Sequence, residues 1–408
     1  MKSNHAYWYF IIARVVGMTV KPIFLYYFLY NDMIDSAALI SLVYLFLSGL
    51  FVIFSVPVHF DFYKVFFEKN KTLAGTKNCV KNYLSSLFSH ITLVFPIILL
   101  VILIGVEDMY MAIIIFILLL SEKVFDEVQR FLIFSKEFVI WSNIFLFKTI
   151  APLICSFILY FILPLEKGLI IYYIVFTAMS NVLIGKYMIP NYIFKLIKCN
   201  AVNFQKNIPA YLEKLKLRYF SKFSIGIMRV NVLNSDKWLL SMFNFPALFT
   251  EVTLISQFSN AINVGSNYMF ISNRRSELLH KNNNLNSLWR GVRVPFFTVL
   301  LACFVLTIII SLIYLKWIEI GILPILSIIL IAGSYAIFAI TEPIYEYLFW
   351  NINVKILLKI EAVFYFNMVI FSYILFNTAG LEYIPVALFI SVLIRVFLNM
   401  YILKRNIL

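Results

Sequence analysis

The stretch Phe220–Ser241 reads FSKFSIGIMRVNVLNSDKWLLS. It is long and apolar enough to cross a bilayer, yet Arg229, Asp236 and Lys237 sit inside it. Each charge at membrane depth costs roughly 2.5–3.5 kcal/mol on insertion scales, so such groups face a polar cavity or a partner. Arg229 and Asp236 are seven residues apart. On a regular helix they share one stripe, about 10.5 Å apart along the axis. Tyr7–Tyr30 repeats the layout, with Arg14 and Lys21 also seven apart. The rest of the chain reads as the wall of the cavity that these side chains face.

Hydrophobic residues make up 62% of the 408 positions and charged residues 13%. That excludes a soluble globular protein. The apolar runs are long and continuous, which excludes a barrel of alternating segments. The fold class expected is therefore all-α, a polytopic membrane protein. Spans of about twenty apolar residues fall at 7–30, 36–57, 83–104, 109–131, 138–163, 168–189, 220–243, 246–270, 294–315, 319–341, 354–376 and 381–403. These twelve helices form two six-helix halves, 1–189 and 220–408, joined by a polar linker at 190–219. A shift of 215 residues lays Arg14 on Arg229 and Lys21 on Asp236. With six spans in each half, the two form parallel pseudo-repeats about an axis along the membrane normal.

The net charge of +14 follows the topology. Most Lys and Arg fall on the side that holds both termini, in the loops around Lys64–Lys81, Lys186–Lys222 and Arg274–Arg293. The opposite side has Lys167, Lys237 near a helix end, and Lys316. The positive-inside rule places both termini in the cytoplasm, and no nucleic acid is needed to explain the charge. The first span lacks a small-residue cleavage site and reads as retained. Cys79, Cys155, Cys199 and Cys303 form no CxxC pair and imply no disulfide framework.

Two Arg and one Lys near the midplane, Arg14, Arg229 and Lys21, suit a phosphate or diphosphate, which guanidinium binds bidentately. Lys148 and Arg395 are further candidates for this anion site. The competing reading is structural: a buried Arg229–Asp236 pair that holds helices together, with Lys21 snorkelling outward. Asp236 and Glu251 are the acidic candidates for ion coupling. His90 could carry protons or simply pack with a hydrogen bond. Glu122, Asp126 and Arg130 share one helical face and read as a solvated interfacial helix. His5, His59 and His280 have no metal-ligand spacing, so neither a metal nor a cofactor is expected. No Walker A, GxSxG or CxxC sequence is present. That argues against ATP-driven transport by this chain alone.

With these residues in view, the sequence resembles the Wzx-type O-antigen and polysaccharide repeat-unit flippases of the multidrug/oligosaccharidyl-lipid/polysaccharide exporter superfamily. The best local match is NSDKWLLSMF, Asn234–Phe243, an Asp–basic pair before an apolar run. Arg14, Lys21 and Arg229 suit the cationic lumen of that family. The following NFPALFTEV, Asn244–Val252, lacks a Gly that the family often has there. The resemblance implies a superfamily-type fold in the bacterial inner membrane. It implies ion-coupled passage of undecaprenyl-diphosphate-linked oligosaccharide from the inner to the outer leaflet, among membrane lipids. An O-antigen polymerase and a chain-length regulator are the partners it suggests. The nearest alternative is a drug or organic-ion exporter of the same superfamily. A membrane polymerase or glycosyltransferase would want an external domain, and every outer loop here is short.

Overall fold

The computed structural model describes residues 2–54, 73–134, 137–165, 167–196, 207–216, 220–243, 245–278, 293–318, 322–351 and 354–407. His59, His280, Glu319 and linker residues 197–206 lie outside these. Among the described residues the regular structure is all helix. In chain order the helices are α1 (Lys2–Tyr30), α2 (Ile34–Gly49), α3 (Leu73–Val106), α4 (Met109–Phe134), α5 (Phe138–Ile162), α6 (Gly168–Met188), α7 (Ile208–Lys214), α8 (Phe220–Asn231), α9 (Ser235–Met242), α10 (Pro246–Leu278), α11 (Arg293–Ile318), α12 (Ile325–Asn351), α13 (Val354–Thr378) and α14 (Ile384–Ile407). A 3-10 turn at Phe51–Phe54 follows α2, a π turn at Ile189–Ile193 follows α6, and a 3-10 turn at Val232–Asn234 joins α8 to α9. Each apolar span read from the sequence falls on one of these helices, except 220–243, which is divided between α8 and α9. Seven stretches of these helices are long and apolar enough to cross a membrane by length and composition. The chain is a multi-pass helical membrane protein.

Two local rules hold the helices in an apolar medium. Buried hydroxyls bond back into their own helix: Thr177 to Tyr173 O, Thr253 to Phe249 O, Ser259 to Ile255 O and Ser334 to Leu330 O. That satisfies groups which lipid cannot. The short turns after α1, α3 and α13 pass through a residue of positive φ, namely Asp32, Glu107 and Gly380, which stops the helix within two residues, whereas Lys167, also at positive φ, immediately precedes α6. Asp108 then starts α4, its Oδ1 accepting from Tyr110 N at 2.9 Å and Met111 N at 3.3 Å. This is an N-cap.

The chain divides into two compact units. Unit 1 comprises Met1–Val20 and Leu42–Gly226, and unit 2 comprises Lys21–Ser41 and Ile227–Leu408. In unit 1, α6 packs along both α4 and α5, and α7 docks on α3. In unit 2, α12 packs along α10 and α14, while α13 packs on α14. Trp141 and Phe54 are fully buried in unit 1, as are Tyr345 and Phe364 in unit 2. Outward faces stay apolar, with Ile97, Leu100 and Ile104 exposed along α3 and Phe366, Val369 and Tyr373 along α13. Such faces suit lipid.

Candidate functional site

Unit 2 holds an ionic network drawn from four helices. Arg229 of α8 donates from Nε to Glu342 Oε1 at 2.6 Å and from Nη2 to Glu342 Oε2 at 3.0 Å. Nη2 also reaches Glu346 Oε1 at 2.7 Å. Glu342 and Glu346 lie one turn apart on α12, with Pro343 between them. Arg395 of α14 donates from Nε to both oxygens of Glu361 on α13, each at 3.1 Å, and from Nη2 to Oε1 at 2.6 Å. Tyr345 joins the two halves of the network: the Arg229 guanidinium lies 4.7 Å and that of Arg395 4.6 Å from its ring centroid. Two guanidiniums thus share an interior with three carboxylates.

Asp236 and Lys237 form a separate buried pair. Span seven is not one regular helix, because the 3-10 turn at Val232–Asn234 interrupts it. The shared stripe expected for Arg229 and Asp236 assumes 3.6 residues per turn throughout, and this turn departs from it. Arg229 takes α12 carboxylates instead. Asp236 Oδ1 accepts from the Lys237 backbone N–H at 2.8 Å and faces Lys237 Nζ at 3.3 Å. Lys237 Nζ also donates to Leu233 O at 2.5 Å and Ser256 Oγ at 3.2 Å. Glu251 of α10 is turned to the backbone: it accepts from Ile322 N at 3.1 and 3.2 Å and from Leu323 N at 3.1 Å. It fastens the segment that leads into α12.

Unit 1 has its own network. Lys148 of α5 donates to Glu122 of α4 at 2.5 Å and stands 4.1 Å over the Phe125 ring. The other oxygen of Glu122 accepts from Asn181 Nδ2 on α6 at 3.1 Å. Lys123 pairs with Asp126 at 3.1 Å and Glu127 at 2.5 Å, and Arg130 pairs with Asp126 at 2.8 Å. Tyr83 of α3 donates to Glu127 at 2.5 Å. Of the face expected to be solvated, the Glu122 and Asp126 side chains are 16% and 19% exposed and that of Arg130 31%, so it is half-buried against neighbouring helices. A charged face inside a bundle looks the same in sequence as one in water.

Arg14 lies on the unit 1 part of α1, its guanidinium 5.6 Å from the Trp141 ring centroid and 5.2 Å from that of Phe145. With its amide oxygen turned toward them, Gln129 accepts from Arg14 Nη1 at 2.9 Å and Trp141 Nε1 at 3.2 Å. Lys21 is half-buried on the part of α1 that belongs to unit 2. His90 is a packing histidine, bonded to Ile53 O at 2.6 Å and to Tyr211 Oη at 2.8 Å. It ties the 3-10 turn after α2 and the linker helix α7 to α3. Beside it, Asn82, Ser85, Ser86, Ser89, Asn207, Ala210 and Tyr211 line a polar recess of about 180 Å³.

The structure thus pairs Arg229, Lys148 and Arg395 with carboxylates from neighbouring helices. Glu342 and Glu346 were missed in the sequence. Their signal was a four-residue spacing around a proline, just past the end of the span read at 319–341, where the helix in fact continues to Asn351.

The fold has a counterpart among solved structures. The inward closed conformation of the lipid II flippase MurJ matches with a TM-score of 0.61 and 16% identity, over 98% of this chain and 87% of that one. The likeness is one of fold. No protein-family model and no curated protein sequence matches the chain.

Proposed function

We propose that this chain is a flippase for a diphosphate-linked lipid oligosaccharide, of the kind that supplies repeat units to O-antigen or capsule assembly. The observation that carries the reading is the shared fold with a lipid II flippase along nearly the whole chain. Buried cations support it, since a diphosphate headgroup needs positive charge at membrane depth. In this reading Arg14, its guanidinium over the Trp141 and Phe145 rings, takes the headgroup, and Arg229, Lys148 and Arg395 hold helices through the carboxylates they grip. Both termini face the cytoplasm of a bacterial inner membrane. With the cell interior negative, an anion leaving the cytoplasm gains about 2.3 kcal/mol per charge per 100 mV. The test is genetic and biochemical. Cells that lack the gene should accumulate single lipid-linked repeat units on the inner leaflet, and the wild-type gene should clear them. Delivery of single units to the outer surface without the gene would overturn the reading.

A further inference from the structure

In unit 1, Glu122 and Lys148 meet near the middle of α4 and α5. Their side chains are 16% and 15% exposed, whereas those of Glu361 and Arg395 in unit 2 are 0% and 1% exposed. A charge that reaches the surface at membrane depth faces a polar cavity and not lipid. The two pairs also differ in grip. Arg395 holds both oxygens of Glu361 through its fork, whereas Lys148 holds one oxygen of Glu122 through one bond. An ammonium is a point charge on a flexible stem, so it changes partner without breaking a planar match. The Phe125 ring, 4.1 Å from Lys148 Nζ, supports the ammonium whichever anion it faces.

Asn181 on α6 supplies a second, independent observation. Its side chain is fully buried. Nδ2 donates to Glu122 Oε1 at 3.1 Å and to Ser121 Oγ at 3.2 Å, while Oδ1 has no hydrogen-bond partner. A buried acceptor without a donor is costly. An ionised Glu122 has no proton to offer it, but a neutral one has. A half-turn of the amide sets Oδ1 against Glu122 Oε1, where it accepts that proton's hydrogen bond. One side chain thus serves both states of the carboxyl.

Among the described residues, Lys148 from α5 and Tyr173 from α6 are the titratable groups directed at Glu122. Its neighbours on α4 and around it are engaged with other partners. Lys123 pairs with Asp126 and Glu127, Tyr83 of α3 donates to Glu127, and Tyr192 of the π turn after α6 faces Glu137. An anion that takes Lys148 leaves Glu122 without its cation, and a carboxylate so placed in a dry interior neutralises. The proton passes from water to Glu122 Oε1, Lys148 keeps its own protons, and no charge is left unpaired.

We propose that Lys148 and Glu122 form a proton-linked anion site. A phosphate-type anion displaces Glu122 from Lys148, and Glu122 takes up one proton, whose hydrogen bond Asn181 Oδ1 accepts. At rest the same pair holds α4 to α5. The site stands on the geometry, whereas the choice of a diphosphate as its occupant rests on the flippase reading above.

Calorimetry on the full-length protein in nanodiscs, run in two buffers of different ionisation heat, counts protons taken up per ligand bound. The probes are inorganic diphosphate and farnesyl diphosphate. With at least one probe the wild-type protein should take up one proton more than Glu122→Gln, and its affinity should fall with rising pH about tenfold per unit more steeply. Lys148→Gln should also lose the extra proton, because Glu122 is then neutral before the anion arrives. Glu213→Gln, exposed on α7, should match the wild type. Uptake with farnesyl diphosphate alone assigns the site to a lipid headgroup, with inorganic diphosphate alone to the free anion, and with both to the diphosphate group from either source. Should Glu122→Gln fail to insert, infrared difference spectra on adding diphosphate replace it. A protonated-carboxyl band must then appear in the wild-type protein, and Glu122→Asp must shift its frequency. The site is overturned by equal proton counts in wild type and Glu122→Gln with both probes, by survival of the extra proton in Lys148→Gln, or by a band that is absent or unmoved in Glu122→Asp. A flipping assay in liposomes keeps the two readings apart. Proton-linked diphosphate binding without flipping overturns the flippase reading and leaves the site. Flipping without the extra proton overturns the site and leaves the flippase reading.

Discussion

Arg395 and Glu361 bind each other bidentately across the last two helices, the guanidinium Nη2 at 2.6 Å from Oε1, with both side chains sealed from solvent. Removal of one partner leaves a buried charge alone, which costs about 3–5 kcal/mol. Arg395→Leu should therefore lower the melting temperature of the purified protein sharply. Arg395→Leu together with Glu361→Leu should recover most of the loss, because a well-packed apolar pair is often as stable as a buried ion pair. A double variant no more stable than the single one would show that the pair does not act as a unit.

This pair also shows where sequence reading stops. Lengths and hydropathy were enough for the helices, since each span needs about twenty apolar residues and little else does. Charges inside the spans were equally visible, because their cost makes them conspicuous. Their partners were not. Helical spacing relates residues of one helix, whereas Arg229 meets Glu342 at 113 residues' separation. The 3-10 turn at Val232–Asn234 also departs from the regular rise between Arg229 and Asp236, which spacing alone does not reveal. Likewise the Glu251 carboxylate, read as an ion-coupling candidate, spends its oxygens on two backbone amides that no periodicity could have indicated.

Glu251 should accordingly behave as a structural cap. Its side chain is the acceptor for Ile322 N and Leu323 N just before α12. Glu251→Ala orphans both amides and should cost about 2–6 kcal/mol, at 1–3 kcal/mol for each unsatisfied group. Glu251→Gln keeps one acceptor oxygen and should cost clearly less. Thermal unfolding in detergent ranks the two, and equal losses would mean that the carboxylate is needed for its charge.

Close approach of α1 and α5 in unit 1 depends on Gly17, where a Cβ would run into the ring of Phe145. Phe145 cannot simply swing aside, because it stacks on Trp141 with ring centroids 4.7 Å apart. Overpacking of this kind costs about 1–3 kcal/mol. Gly17→Leu should destabilise the protein by at least that much, and Phe145→Ala should relieve part of the loss. A double-mutant cycle measures the coupling. Strictly additive effects would show that the two helices move apart freely.

Arg14 is the decisive position for the proposed headgroup site. Its guanidinium lies over the Trp141 and Phe145 rings and beside the Gln129 amide, which fixes the plane of its fork. A fork held in place binds a diphosphate bidentately, and the contact is strong where the dielectric is low. Arg14→Ala should thus abolish surface glycan while membrane-inserted protein stays at its normal level. Arg14→Lys keeps the charge but neither the fork nor the flat stacking, so it should restore glycan only in part. A purely packing role predicts the reverse pattern. Arg14→Ala would then lower the amount of inserted protein, and glycan per molecule would be unchanged. Full glycan display by well-inserted Arg14→Ala would remove Arg14 from the headgroup site.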